Sequence, residues 1–206
     1  MKLSAERRRA LSTKAQAFAA NLDQAMPYLL SRGISREVGD MFGLGYVPAG
    51  QEFGGRLSVP YLTPAGVVQI KYRRLSDDET QAKYVYEPGL GVHLFNAQIL
   101  IREGDTVVLT EGELDAICVQ AYVGYPAVAF PGVETWGKQR HWPLCFEGVT
   151  EVVVLADGDK VGREAARRVA DSLGTKARVV DCPDGMDANS LIVERGVAAL
   201  QERING

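Results

Sequence analysis

From residue 106 onward the chain repeats one grammar, short β-branched runs alternating with stretches of helical spacing, and this limits the folds open to it more than any other feature. The runs are TVVLT (106–110), AVAF (127–130), EVVVLA (151–156) and ARVVD (177–181). Between and after them, helices are predicted at 113–119, across a segment with Val161, Ala165, Val169 and Leu173 on one side, and at 188–204. Strands that alternate with helices imply a parallel sheet covered by helices, an α/β fold.

The first half has a different grammar. Residues 4–31 read as helix, with Leu11, Ala15, Phe18, Leu22 and Met26 at helical spacing. Gly33 ends it, and Ser35 caps a short helix to about Met41. GLGYVPAG (43–50) reads as a short strand with turns on either side. Residues 56–62 and 67–74 form a predicted hairpin around Thr63-Pro64-Ala65-Gly66. SDDETQAK (76–83) is an expected exposed loop, and residues 83–100 are less regular. The expected division is a small mixed α+β subdomain over 1–103 and a parallel-sheet domain over 104–206, with IREGD (101–105) as the break.

Charge divides the same way. Residues 1–100 hold 12 Lys+Arg against 9 Asp+Glu, whereas residues 101–206 hold 11 against 17. An acidic half repels nucleic acid unless its carboxylates hold cations. Several classes are excluded. No apolar run approaches a membrane span, and MKLSAERRR turns charged where a signal peptide needs its apolar core. Cys118, Cys145 and Cys182 lie far apart without a C-x-x-C pair, against a zinc ribbon and in keeping with a reducing cytoplasm. There is no phosphate-binding G-x-x-x-x-G-K-[ST] loop and no Ser-His-Asp or Cys-His pair.

Two motifs carry chemistry. Thr110-Glu111-Gly112-Glu113-Leu114-Asp115-Ala116 sets Glu111 at the carboxyl end of a strand, where ligands collect in parallel sheets. Gly112 frees the turn, and Asp115 falls in the helix's first turn, where a carboxylate favours the positive end of the dipole. Leu155-Ala156-Asp157-Gly158-Asp159-Lys160-Val161-Gly162 ends a second strand. Its two carboxylates point the same way on extended chain, and Gly158 between them lets another group approach. Like charges held so close call for a cation. Mg²⁺ suits carboxylate and water oxygens, and the constellation suits phosphoryl chemistry. The tract Trp136–Trp142 (WGKQRHW) is a weaker candidate for base stacking, since aromatics beside a short helix more often close a core.

EGELDA together with ADGDKVGREAA closely resembles the signatures of the TOPRIM domain, shared by DnaG-type primases, topoisomerases and certain nucleases. Cys182-Pro183-Asp184-Gly185-Met186-Asp187-Ala188-Asn189 resembles the segment that follows in primases. There Asp187 matches a site carboxylate, and Asn189 stands where many primases have an aspartate. Upstream, residues 28–35 and 42–48 resemble the start of the primase polymerase core. Arg56-Leu57-Ser58-Val59-Pro60-Tyr61, Lys71-Tyr72-Arg73 and Lys83-Tyr84 resemble its basic strands. The resemblance spans about residues 28–195.

It implies a DnaG-like primase: metal-dependent synthesis of short RNA primers on single-stranded DNA from ribonucleoside triphosphates. The implied metal ligands are Glu111, Asp157, Asp159 and Asp187, holding Mg²⁺ or Mn²⁺. The catalytic carboxylates are Glu111, Asp157 and Asp159, supported by Gly112, Asp115, Gly158 and Gly162. Arg56, Lys71, Arg73 and Lys83 are the implied nucleotide- and template-binding residues. Expected partners are a separately encoded zinc-binding module and a replicative helicase, in the cytoplasm of a bacterium or from its phage. A TOPRIM nuclease and a non-catalytic replication module are the alternatives. Strand cleavage without synthesis marks the first, and three intact acidic residues argue against the second.

Overall fold

The structure, a computed structural model, describes residues 3–101 and 106–206. It divides into two compact units, Met1–His93 and Leu94–Gly206. The division expected at 103/104 falls outside the described residues. Leu94 to Ile101 group with the second unit, where Phe95 and Ala129 exchange backbone hydrogen bonds of 2.8 and 3.3 Å.

In the first unit, helix α1 (Ala5–Ala19) is capped by Ser4, and the helix predicted over 4–31 breaks after it. A 3₁₀ turn (Leu22–Ala25) and helix α2 (Met26–Ser31) follow. Pro27 in the first turn of α2 has no N–H to give to a preceding turn, so a continuous helix cannot run through it. Helix α3 (Arg36–Met41) begins where Ser35 accepts from Val38 N, as its sequence signals. Strands β1 (Gly45–Tyr46), β2 (Arg56–Thr63), β3 (Gly66–Arg74) and β4 (Tyr84–Tyr86) form an antiparallel sheet in that order. Thr63 Oγ1 donates to Gly66 O at 2.7 Å and closes the expected hairpin, whereas β4 was not foreseen. Leu11, Ala15 and Phe18 of α1 pack on Val67, Ile70 and Tyr72 of β3. Beside them Glu87, almost wholly buried, accepts from Lys14 Nζ at 2.7 Å and Tyr72 OH at 2.6 Å.

The second unit carries an all-parallel sheet in the order β6-β5-β7-β8, from β5 (Thr106–Thr110), β6 (Ala127–Ala129), β7 (Glu151–Ala156) and β8 (Ala177–Asp181). Helices α4 (Glu113–Cys118), α5 (Val133–Trp136), α6 (Lys160–Leu173), α7 (Ala188–Arg195) and α8 (Val197–Asn205) accompany it. The single closing helix predicted at 188–204 splits at Gly196, whose φ of 84° ends the helical geometry. On α6, Ala165, Val169 and Leu173 face the core as their spacing predicts, but Val161 is 62% exposed. Trp136 and Trp142 are buried in the same core with ring centroids 5.6 Å apart, and Trp136 Nε1 donates to Ser172 Oγ at 2.9 Å. That placement corrects the reading of this tract as a base-stacking surface. Among the described residues, no helix is long and apolar enough to cross a membrane.

Candidate metal centre

Two central strands set the acidic site. β5 and β7 are adjacent and parallel, with Leu109 opposite Val154. Their carboxyl ends therefore lie on one edge of the sheet, and each passes directly into an acidic turn. Glu111 and Gly112 follow β5, while Asp157, Gly158 and Asp159 follow β7. β8 ends on the same edge at Asp181 and leads through residues 182–186 to Asp187.

The local chemistry explains each turn. Asp159 caps α6, its Oδ1 accepting from Gly162 N at 2.7 Å. Asp187 caps α7 in a capping box, its Oδ1 accepting from both the backbone N and the Oγ of Ser190 at 2.7 Å. Asp115 is nearly buried and accepts from Asn189 N at 3.1 Å, so it supports the start of α7 as well as standing in α4. Asn189 is fully buried and extends this clasp, its Nδ2 donating to Leu114 O at 3.3 Å and lying 2.8 Å from Cys118 Sγ.

Space constrains the glycines to different degrees, most of all Gly158, whose obstacles are backbone. Gly112 sits at φ −102°, open to any residue, but a Cβ there would stand 2.2 Å from Asp115 Oδ2. At Gly158 a Cβ would stand 1.8 Å from Pro183 O, because the 182–187 loop folds onto the Asp157–Asp159 turn. Backbone bonds fasten the two, Gly158 N to Met186 O at 2.7 Å and Gly185 N to Gly158 O at 2.8 Å. Gly162 lets the first turn of α6 lie against Asp157, whose Cβ and O are both 3.0 Å from where a Cβ would be.

Electrostatics report the convergence. The Cys182 thiol is pushed up to about 12, chiefly by burial and then by the charges of Asp115, Asp157 and Asp187. Charges from three segments distant in sequence are thus felt at one buried side chain. All the acidic donors on this edge are oxygens, the donor type a hard divalent cation takes. Among the described residues, no three His, Cys, Asp or Glu close into a ready metal shell.

The basic residues lie in the first unit. Pairing of Leu57 with Arg73 and Arg56 with Arg74 puts Arg56 and Arg73 on opposite faces of β2 and β3. Arg56 is buried and donates to Ala82 O at 2.8 Å, fastening the 75–83 loop. Lys71 is also buried, its Nζ 4.3 Å from the Tyr84 ring and 5.6 Å from Tyr86. Arg73 lies 4.9 Å from the Tyr28 ring and 5.3 Å from Tyr84, and exposed Lys83 is 5.6 Å from Tyr84. Three of the four cations therefore gather about one half-exposed tyrosine. Sequence reasoning gave no role to Tyr84 and Tyr86, although their alternation beside Lys83 was a usable signal.

Residues 106–198 match the Toprim domain model. The gene 57 protein of Mycobacterium phage D29 is 39% identical over 157 residues, covering 74% of this chain and 99% of that protein. A DNA primase of Pseudomonas putida is 28% identical over 88% of this chain but 34% of its own length. The chain thus spans about a third of the curated primase it matches there. Among solved structures, the zinc-binding and RNA polymerase domains of the Aquifex aeolicus primase align with a TM-score of 0.82 at 25% identity, over 99% of this chain and 62% of that one. A primase-like antiparallel unit followed by a TOPRIM sheet with its acidic turns in place is the architecture of one family, and the chain belongs to it: the DnaG-type TOPRIM primase cores.

Proposed function

We propose that this chain joins ribonucleotides into short primers on single-stranded DNA, at the carboxyl edge of β5 and β7. The observation that supports the reading is the adjacency of those parallel strands, one leading into the turn with Glu111 and the other into the turn with Asp157 and Asp159. Glu111, Asp157, Asp159 and Asp187 are the residues that would hold Mg²⁺ or Mn²⁺. When bound, such an ion neutralises charge that develops on the transferring phosphate. Asp159 and Asp187 are each held in place by a cap hydrogen bond, so their orientation is set before substrate arrives. Glu111, on the turn after β5, completes the ligand set or takes the proton from the attacking sugar hydroxyl.

Arg73 and Lys83, around Tyr84, are the reachable cations for triphosphate or template backbone, with salt-sensitive affinity. Arg56 and Lys71 act from beneath, Arg56 by holding the 75–83 loop and Lys71 by supporting the Tyr84 and Tyr86 rings. A zinc-binding module and a helicase working with this core, in the bacterial cytoplasm, complete the proposal.

The test is incorporation of labelled ribonucleotides on single-stranded DNA, with and without divalent cation, for the wild type and Asp159→Asn. Asparagine caps a helix about as well as aspartate, so the variant keeps α6 while losing a charge. Metal-dependent incorporation that disappears in the variant supports the reading. Strand cleavage without incorporation would replace it with a nuclease.

A further inference from the structure

Arg163 is a cation set among the acidic turns, and neither motif reasoning nor the proposed chemistry uses it. It lies one turn into α6, its backbone N bonded to Asp159 O at 3.1 Å. Its guanidinium Nη2 donates to Asp184 Oδ1, and its Nε stands 3.7 Å from Asp181 Oδ2. The hydrogen bond it donates to Asp184 raises the Arg163 pKa against the opposing effect of desolvation, and the charges of Asp184, Asp181 and Asp159 add to the rise. Asp181 Oδ1 is buried and accepts no hydrogen bond in the described structure. One cation therefore contacts carboxylates from two places, the end of β8 and the loop that leads to Asp187, and stands one helical turn from Asp159 in the turn after β7.

We infer that Arg163 is the resident counter-ion of the acidic edge, a positioning residue that lowers the edge's affinity for a divalent cation. The inference rests on the metal-centre reading above and deepens it. A fixed positive charge one helical turn from Asp159, paired with the neighbouring Asp181 and Asp184, opposes a second one. Holding affinity down makes occupancy depend on the phosphate oxygens that a nucleotide brings, so the ion is drawn in with substrate.

Removing Arg163 has two opposed consequences. Losing its charge strengthens cation binding; losing its grip on Asp184 loosens the loop and weakens binding. The charge effect is the larger because the loop has other fastenings. Gly158 N to Met186 O, Gly185 N to Gly158 O and Cys182 N to Ala156 O, at 2.7, 2.8 and 2.9 Å, involve no part of Arg163. The two roles thus predict opposite signs.

The experiment is a Mn²⁺ titration of the intact chain followed by electron paramagnetic resonance, which reads binding without activity. Arg163→Gln at low ionic strength is expected to bind Mn²⁺ roughly two- to fivefold more tightly, the range typical of a partly exposed charge pair. The difference should shrink as salt shortens the screening length to a few ångströms. Arg163→Lys, which keeps the charge, should return affinity toward that of the wild type. Unchanged or weaker binding by folded Arg163→Gln, or a lysine variant as tight as the glutamine one, overturns the inference. A wild type that binds no Mn²⁺ overturns the metal-centre reading itself, and the two failures are therefore distinguishable.

Discussion

Gly158→Ala should be among the most damaging single-methyl changes in the second unit. The added Cβ would stand 1.8 Å from Pro183 O and 2.7 Å from Pro183 C, and real Cβ contacts essentially never fall below 3.0 Å. Both obstacles are backbone, so no side chain can rotate away. The loop must retreat by at least 3.0 − 1.8 = 1.2 Å. A retreat of that size along the Gly158 N to Met186 O bond, now 2.7 Å, takes it to 3.9 Å, beyond hydrogen-bonding range. The companion bond from Gly185 N to Gly158 O, at 2.8 Å, goes the same way. Two lost backbone bonds at about 1 kcal/mol each, with a further cost where a group stays buried and unpaired, come to about 3 kcal/mol. For a chain of this size that is a fall in melting temperature of about 6–12 °C. Metal-dependent incorporation should fall too, since the loop carries Asp187. The control is Gly137→Ala, where φ is −62° and nothing lies within 4 Å of the new Cβ, so stability should hold or rise by a few tenths of a kcal/mol. Thermal unfolding by circular dichroism compares the two. Melting of Gly158→Ala within about 1 °C of wild type would refute the reasoning, showing the two loops to be separable at no cost.

Glu87 tests the first unit. Burial alone would raise its pKa, but hydrogen bonds from Lys14 and Tyr72 hold it below the ordinary glutamate value. Its contribution is therefore complete above the unfolded-state pKa and lost as pH falls through the folded-state one. Glu87→Gln should cost about 1–2 kcal/mol at pH 7 and flatten the stability profile on the acid side, measured by urea unfolding across pH; an unchanged profile would dismiss the network. Asp157→Asn should abolish incorporation with little loss of stability, because it relieves like-charge repulsion; a folded, fully active variant would remove Asp157 from the site. Arg73→Ala should weaken template binding and reduce its salt slope by about one phosphate contact in fluorescence-anisotropy titrations, and an unaltered slope would return Arg73 to an ordinary surface role.

Local patterns were readable wherever neighbours in the chain decide the outcome. TVVLT and EVVVLA are strands because their β-branched side chains suit that geometry, and both elements appear where their sequences place them. Ser35 caps a helix as its residue type and position suggest, whereas the capping by Asp159 was not read from the sequence. Glu111 and the Asp157–Asp159 pair were placed at strand ends from the turn glycines and helices beside them. Other features were read less well. Pro27 is a breaker within residues 4–31, but their apolar spacing hid the break. The aromatics of WGKQRHW left base stacking and core closure both open, and Trp136 and Trp142 fill the core.

Most strands, though not β4, the parallel sheet of the second half and the acidic turns were legible in the residues alone, because these follow from side-chain shape, spacing and turn chemistry over a few residues. Strand order and loop return came from the fold alone. The order β6-β5-β7-β8 makes the strands that lead to Glu111 and Asp157 neighbours, and the return of the loop after β8 lays Pro183 O against Gly158. It also gave Gly112 a different reason for being glycine, the folded-back carboxylate of Asp115, where the sequence suggested backbone freedom. It separated Arg56 from Arg73 by strand alternation and brought Arg163 between the carboxylates of Asp181 and Asp184. The physical reason is one of range. Propensity acts through covalent neighbours, whereas strand order and the close passage of two loops are settled by packing between segments whose separation along the chain carries no information about their separation in space.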